Sequence, residues 1–250
     1  MKANELLEEV VEAHGGRAHW QAVRDIDASL SAGGLAFTAH GQPFALRNLK
    51  VSVSPHERRV VLTHFCGRQW RGVWTPNHVE IRDSENRLID ERRDPRRFFG
   101  SLVKTVKWDK LDILYFAGYA LWNYLSFPFI LGQPGVALSE IASAGDGRSL
   151  RLEALFDASL PTRSARQTFH IDTKRHLTRH DYTADVIGPW ATAANCCLAS
   201  ERVAGLRFYT RRKVYPRIGR GNGVMPFPTL VWIEIDDLNV NFTVAPKVNG

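Results

Sequence analysis

Apolar residues recur along this chain with a spacing that changes three times. Over residues 4–14, Leu6, Leu7, Val10, Val11 and His14 share one face of a helix. Asn4 is a suitable N-cap, and Gly15-Gly16 can adopt the left-handed stop that ends such a helix. A second helical turn, Ala18 to Val23, carries Trp20; both pieces are expected to pack across one face of a sheet. From Ile26 to Arg93 the period is two. Ile26/Ala28/Leu30, Leu35/Phe37, Leu49/Val51/Val53, Val60/Leu62 and Val79/Ile81 read as successive strands. Gly33-Gly34, His40-Gly41-Gln42-Pro43, Ser54-Pro55 and Thr75-Pro76-Asn77 punctuate them. Connections this short, with no helical pattern between strands, require antiparallel neighbours.

A helical insert over about 94–126 interrupts the alternation. Asp94-Pro95 is an N-cap and first-turn proline signal. Further on, Trp108, Leu111, Tyr115, Tyr119 and Trp122 form one helical stripe, while Ile113, Phe116, Ala120 and Tyr124 occupy much of another. A helix apolar around most of its circumference must be buried on both sides. It should end near Ser126-Phe127-Pro128, where proline disfavours continuation. After Gly135 the period of two returns in Val136/Leu138, Leu150/Leu152/Ala154, Phe169/Ile171, Leu177 to Ala184, Arg207 to Tyr215 and Leu230 to Phe242. Ala144-Gly145-Asp146-Gly147 and Asp172-Thr173-Lys174-Arg175 read as hairpin turns, and residues 217–228 as a loop.

No repeat and no linker divides the chain, so residues 1–250 read as a single domain. The fold class is mainly β (α+β): a large curled antiparallel sheet or open half-barrel, with the aromatic-rich helix in or over its concave face. The functional expectation is that such a bowl leaves a dry hollow for one small guest. A solid interior around residues 108–125, with no room for even a small organic guest, would overturn that expectation.

Composition narrows the alternatives. Of 250 residues, 44% are hydrophobic and 24% charged, which is ordinary for a globular protein. Cys66, Cys196 and Cys197 are odd in number and lack CxxC spacing, which argues against a disulfide framework or zinc knuckle. The start reads straight into an acidic helix rather than a secretory leader, and the longest apolar stretch, Phe116 to Leu131, is broken by Asn123, Ser126 and Pro128. No membrane span and a cytoplasmic location are therefore expected. A net charge of +7 permits an anionic partner without demanding one. There is no GxGxxG, P-loop, HExxH or GxSxG pattern and no convincing histidine pair, so neither cofactor nor metal is expected.

Three places carry candidate chemistry. Trp108, Tyr115, Tyr119, Trp122, Phe127 and Trp232 either line a ligand cavity or fill the core. On the strand His180-Asp181-Tyr182, alternation puts His180 and Tyr182 on one face and Asp181 on the other. His180 would act as general acid or base and Tyr182, with Tyr119, as a donor to a substrate oxygen; otherwise they are hydrogen-bonded structural groups. Arg212 stands among smaller groups on its strand face, the position for an inward cation that pairs a carboxylate or phosphate, with Glu234 as a buried carboxylate or its partner. Either could instead point outward.

The run Thr168-Phe169-His170-Ile171-Asp172, then Leu177-Thr178-Arg179-His180-Asp181-Tyr182 and Val203 to Pro216, resembles the closing strands of the bacterial lipoprotein-carrier (LolA/LolB-like) fold, over roughly a fifth of the chain. The segment Trp108-Asp109 to Trp122 is similar to that of uncharacterised bacterial proteins of the same layout. The resemblance implies a half-barrel that holds acyl chains beneath a helical lid. It also takes in VioE, a cytoplasmic biosynthetic protein that acts on an apolar intermediate without a cofactor. The carriers' signal peptide and lipid-attachment cysteine are not expected here, since the start reads straight into a helix, and this argues against a periplasmic lipoprotein shuttle.

Three functions compete: a cofactor-independent biosynthetic enzyme (cyclase, isomerase or dehydratase type) on an apolar metabolite, a non-catalytic lipid or acyl-ligand carrier, and a nucleic-acid binder. The last would use Arg207, Tyr209, Arg211, Arg212, Lys213, Tyr215, Arg217 and Arg220 as a stacking platform. It ranks lowest, because most aromatic residues lie in the buried-looking helix. The sequence leaves the oligomeric state open.

Overall fold

In a computed structural model, which describes residues 2–100, 104, 107–141, 150–218 and 223–243, the alternating segments join in one open antiparallel sheet of fourteen strands. Its first arm meanders through β1 (Val23–Gly33), β2 (Leu49–Ser54), β3 (Arg59–Phe65), β4 (Trp70–Thr75), β5 (His78–Arg82) and β6 (Leu88–Arg93). The second comprises β7 (Val136–Ile141), β8 (Leu150–Phe156), β9 (Arg166–Ile171), β10 (Leu177–Thr183), β11 (Thr192–Val203) and β12 (Leu206–Ile218). The short β13 (Gly223–Val224) pairs only with β12, and β14 (Val231–Phe242) slots between β12 and β1. The strand order is β6-β5-β4-β3-β2-β1-β14-β12-β11-β10-β9-β8-β7. β14 thus joins two meanders that are remote in sequence, and β6 and β7 remain as free edges.

Helix α1 (Ala3–Ala13) buries Leu6, Leu7, Val10 and Val11 against β7, β8 and a 3-10 helix at Phe129–Gly132. The short α2 (Arg17–Gln21) buries Trp20, which stacks on Phe129. The expected strand at Leu35/Phe37 is instead a helical turn, α3 (Leu35–Ala39). Two apolar residues two apart do not separate strand from helix over five residues. Gly34, at φ 126, turns the chain out of β1 so that the amides of Leu35 and Ala36 reach the carbonyls of Thr229 and Leu230. Asp94-Pro95 opens a separate 3-10 helix, Pro95–Gly100, rather than the long one. The turn expected at residues 144–147 lies outside the described residues, as do positions 219–222 of the expected loop.

The aromatic helix, α4 (Lys110–Leu125), runs through the concavity and is buried from Leu111 to Leu125. Asp109 caps it, its carboxylate accepting the Asp112 amide at 3.0 Å while Asp112 reaches back to the Asp109 amide at 2.8 Å. Arg92 pairs with Asp109 and, at 2.7 Å, with the buried Asp112; Lys104 pairs with both. Burial works against the Asp109 charge, yet Arg92 and Lys104 hold its carboxyl well below the usual range. α4 sits hard on β4 through reciprocal glycines. A Cβ on Gly118 would lie 2.2 Å from the Trp74 ring, and one on Gly72 would lie 2.7 Å from Leu114. Most of its packing is against β2 to β6, so the helix belongs to the first arm.

Candidate functional site

A polar cluster lies inside the apolar shell where α4 faces the second arm. The alternation of β10 turns His180 and Tyr182 inward, and Asp181 outward to His170 and Arg179. β12 turns Arg212 inward beside Val214. The segment between β8 and β9 delivers Arg163, and α4 contributes Tyr119, Asn123 and Tyr124.

Two guanidiniums dominate the cluster. Arg163 is 2% exposed and both its terminal nitrogens lack a hydrogen-bond partner. It lies 4.1 Å from the centroid of the Tyr124 ring, 4.7 Å from Tyr182 and 5.8 Å from Tyr119. Arg212 is 3% exposed; one terminal nitrogen donates to the Cys197 sulfur at 3.4 Å, and the other is unpartnered. It lies 4.4 Å from the same Tyr124 ring and 5.2 Å from Tyr209. Among the described residues, no carboxylate pairs with either arginine.

The surrounding groups stay uncharged. Gln167 donates its amide to the Ser164 carbonyl at 2.8 Å, which directs its oxygen to His180 Nε2 at 2.6 Å. His180 Nε2 therefore carries the proton and Nδ1 is the acceptor nitrogen. Burial, reinforced by the charges of Arg163 and Arg212, holds the His180 pKa well below its ordinary value. Burial raises the Tyr119 phenol, and burial together with Tyr124 raises that of Tyr182, so both keep their protons. The Tyr119 hydroxyl has no partner, and the side chain of Asn195, the neighbour of His180 across to β11, has none at either polar atom.

The hollow expected from the sequence is filled. Two voids flank Tyr124, of about 30 Å³ and about 10 Å³, room for no more than a water molecule. The larger is lined by apolar residues such as Leu30, Leu49, Ala120, Val231 and Ile233, with Tyr124 and Tyr182 at one end. The smaller lies between Tyr124, Phe127, Phe169, His180 and Arg212. α4 is the occupant, because a helix with apolar residues all round can bury both sides only inside the bowl. The voids follow the seam between α4 and strands β1, β14, β10 and β12. A cleft of about 260 Å³ opens to solvent between Arg96, Arg97 and Pro161, with Tyr115 at its floor. The Tyr115 ring touches that of Tyr119 at 5.4 Å.

The structure gathers Tyr119, His180, Tyr182, Arg212 and Phe127 around this seam. Trp108 and Trp122 are buried and their indole N–H groups are already bonded, to the carbonyls of Lys104 and Pro55. Glu234 and Trp232 are corrections. Val231 and Ile233 take the inward positions of β14, so Glu234 is exposed and opposite Arg211, and Trp232 lies under Arg47 at 4.3 Å. Neither reaches Arg212. Arg163 and Gln167 were missed, since a lone arginine and glutamine beside a turn carry no local signal of burial.

The basic stretch 207–220 is divided between the two faces of β12. Tyr209 and Arg212 are buried, Arg217 lies 3.5 Å from Asp181, and Arg220 is outside the described residues. On β5 and β6, His78, Glu80 and Glu91 place ligand atoms within 4.8 Å of one another, but Glu80 is held by Arg82 through two bonds. Among the described residues, no helix is long and apolar enough to cross a membrane.

The sequence matches no protein-family model and no curated protein. Solved structures do match. The LolA superfamily protein of Nitrosomonas europaea superposes with a TM-score of 0.53 at 10% identity, covering 96% of this chain and 94% of that one. A DUF1329 family protein from Desulfovibrio piger aligns at 10% identity over 97% of this chain and 95% of that one, with a TM-score of 0.44. The chain has a LolA-like fold.

Proposed function

We propose that this protein binds a hydrophobic small molecule within the half-barrel, along the seam where α4 faces β1, β14, β10 and β12, and holds it rather than transforms it. The observation that carries this reading is where the voids lie. Both border α4, the larger where it meets β1, β2 and β14 and the smaller where it meets β10 and β12, and Tyr124 alone borders both voids. Binding would require the seam to widen, with Tyr124 turning aside so that the voids merge. The LolA-like fold supports an apolar guest in this concavity by analogy of architecture.

Catalysis without a cofactor is the second reading, favoured by the inward His180 and Tyr182, whose rings are 5.0 Å apart. A histidine whose pKa is held so low is a weak base near neutral pH, which ranks carrying above proton transfer. The test is a fluorescence titration with N-phenyl-1-naphthylamine, a neutral apolar dye. Saturable binding is expected for the wild type, and Ala120→Leu, which fills the larger void, should weaken it severalfold. Absence of saturable binding to the wild type would sink the proposal.

A further inference from the structure

The apolar seam leaves one feature of the interior without a purpose. Two arginines are almost fully withdrawn from water with no anion beside them among the described residues. Moving an ionised group out of water is costly unless it is paired and hydrogen-bonded. A guanidinium does not escape by losing its proton. Proteins therefore bury arginine with a carboxylate or a phosphate, and here the described residues provide neither.

The unpaired groups are also of one kind. Both terminal nitrogens of Arg163, one of Arg212 and the Tyr119 hydroxyl lack partners. The guanidinium nitrogens can only donate, and a phenol that keeps its proton donates too. Neutral acceptors stand nearby in His180 Nδ1 and the Tyr182 hydroxyl, but neither is an anion, and the unpaired Asn195 oxygen bonds none of these donors. What converges on this point is a set of donors with no anionic acceptor among the described residues. The Tyr124 ring occupies the space between them and offers each guanidinium only its π face, at 4.1 Å and 4.4 Å. A ring face is a weaker partner for such a cation than an oxyanion, which can take two parallel N–H bonds from one guanidinium.

We propose that Arg163 and Arg212, with the Tyr119 hydroxyl, form a receptor for an oxyanion head, and that the ligand of this protein is an amphipathic acid whose apolar body lies along the seam. Tyr124 holds the place of the head and must turn aside to admit it, the same movement that joins the voids. The Tyr115 floor of the solvent cleft, next to Tyr119 and rimmed by Arg96 and Arg97, gives a charged head a polar approach. This inference rests on the seam as the ligand site and adds the chemical class of the ligand.

The test is displacement of bound N-phenyl-1-naphthylamine by four ten-carbon competitors: decanoate, decyl phosphate, decanol and decylammonium. For the wild type, one or both anions should displace the dye at concentrations about tenfold or more below those of decanol, with decylammonium weakest. The ranking of decanoate against decyl phosphate identifies the oxyanion. Arg163→Met and Arg212→Met should each erase most of that preference while still binding the dye, which also shows that the variants fold. Equal displacement by acid and alcohol, or variants that keep the preference, would overturn the arginine assignment and leave the apolar site standing. A dye that never binds the wild type would overturn the underlying reading and this one with it.

Discussion

Replacing Arg163 by Met removes the guanidinium and keeps a flexible apolar stem of similar reach. In the structure, two terminal nitrogens of that guanidinium are buried without partners. An unmet buried donor costs about 1–3 kcal/mol, so the pair burdens the native state by roughly 2–6 kcal/mol. The close Tyr124 contact at 4.1 Å offsets roughly 1–2 kcal/mol of this, and the more distant Tyr182 and Tyr119 rings offset less. The Tyr182 hydroxyl beside the guanidinium would lose a neighbour, at about 1 kcal/mol. The balance lies at about 0–3 kcal/mol in favour of the variant, in line with gains seen when buried ionic groups give way to apolar ones. For a chain of this size each kcal/mol moves the midpoint by about 2–4 °C, so Tm should hold or rise by up to several degrees. Thermal and urea denaturation of the purified proteins would measure it. A loss of 2 kcal/mol or more would refute the reasoning, because it would mean that the guanidinium holds the fold together rather than waiting for an anion.

Two further outcomes follow from the packing and the buried histidines. Burial lowers the His14 pKa from 6.5 to about 4, and His180 shifts the same way, so the unfolded chain takes up protons in that window while the native one does not. Stability should be fully present above pH 6.5 and fall as the pH drops toward 4, by roughly 3 kcal/mol for His14 alone; urea midpoints that stay flat from pH 7 to 4.5 would contradict this. Gly118→Ala drives a methyl into Trp74 and should cost about 1–3 kcal/mol by overpacking, read from the urea midpoint, and an unchanged midpoint would show that α4 is not seated on β4 as described.

The alternating runs at 26–30, 49–53, 60–62, 79–81 and 230–242 mark strands because one sheet face is buried and the other is wetted, a difference written into each side chain. The burial of α4 was equally legible, since its apolar residues leave no side for water. Other strands left no such mark. β6 is a polar edge strand held by its backbone, β4 replaces one inward side chain with Gly72 to admit Leu114, and the first half of β11 is built from alanines, cysteines and other small residues. Their positions come from partners, not from their own composition.

The site divides along the same line. Strand parity was enough to turn His180, Tyr182 and Arg212 to one face and Asp181 to the other. It was not enough to say which face of β14 is inward, and there Glu234 and Trp232 fell outside. Nor could it show that Arg163, 49 positions before Arg212 in sequence, shares a tyrosine ring with it. Local pattern encodes what each residue prefers to touch. Only the joining of two arms by β14, around a helix that fills the bowl, decided that two positive charges would meet inside with no counter-charge among the described residues.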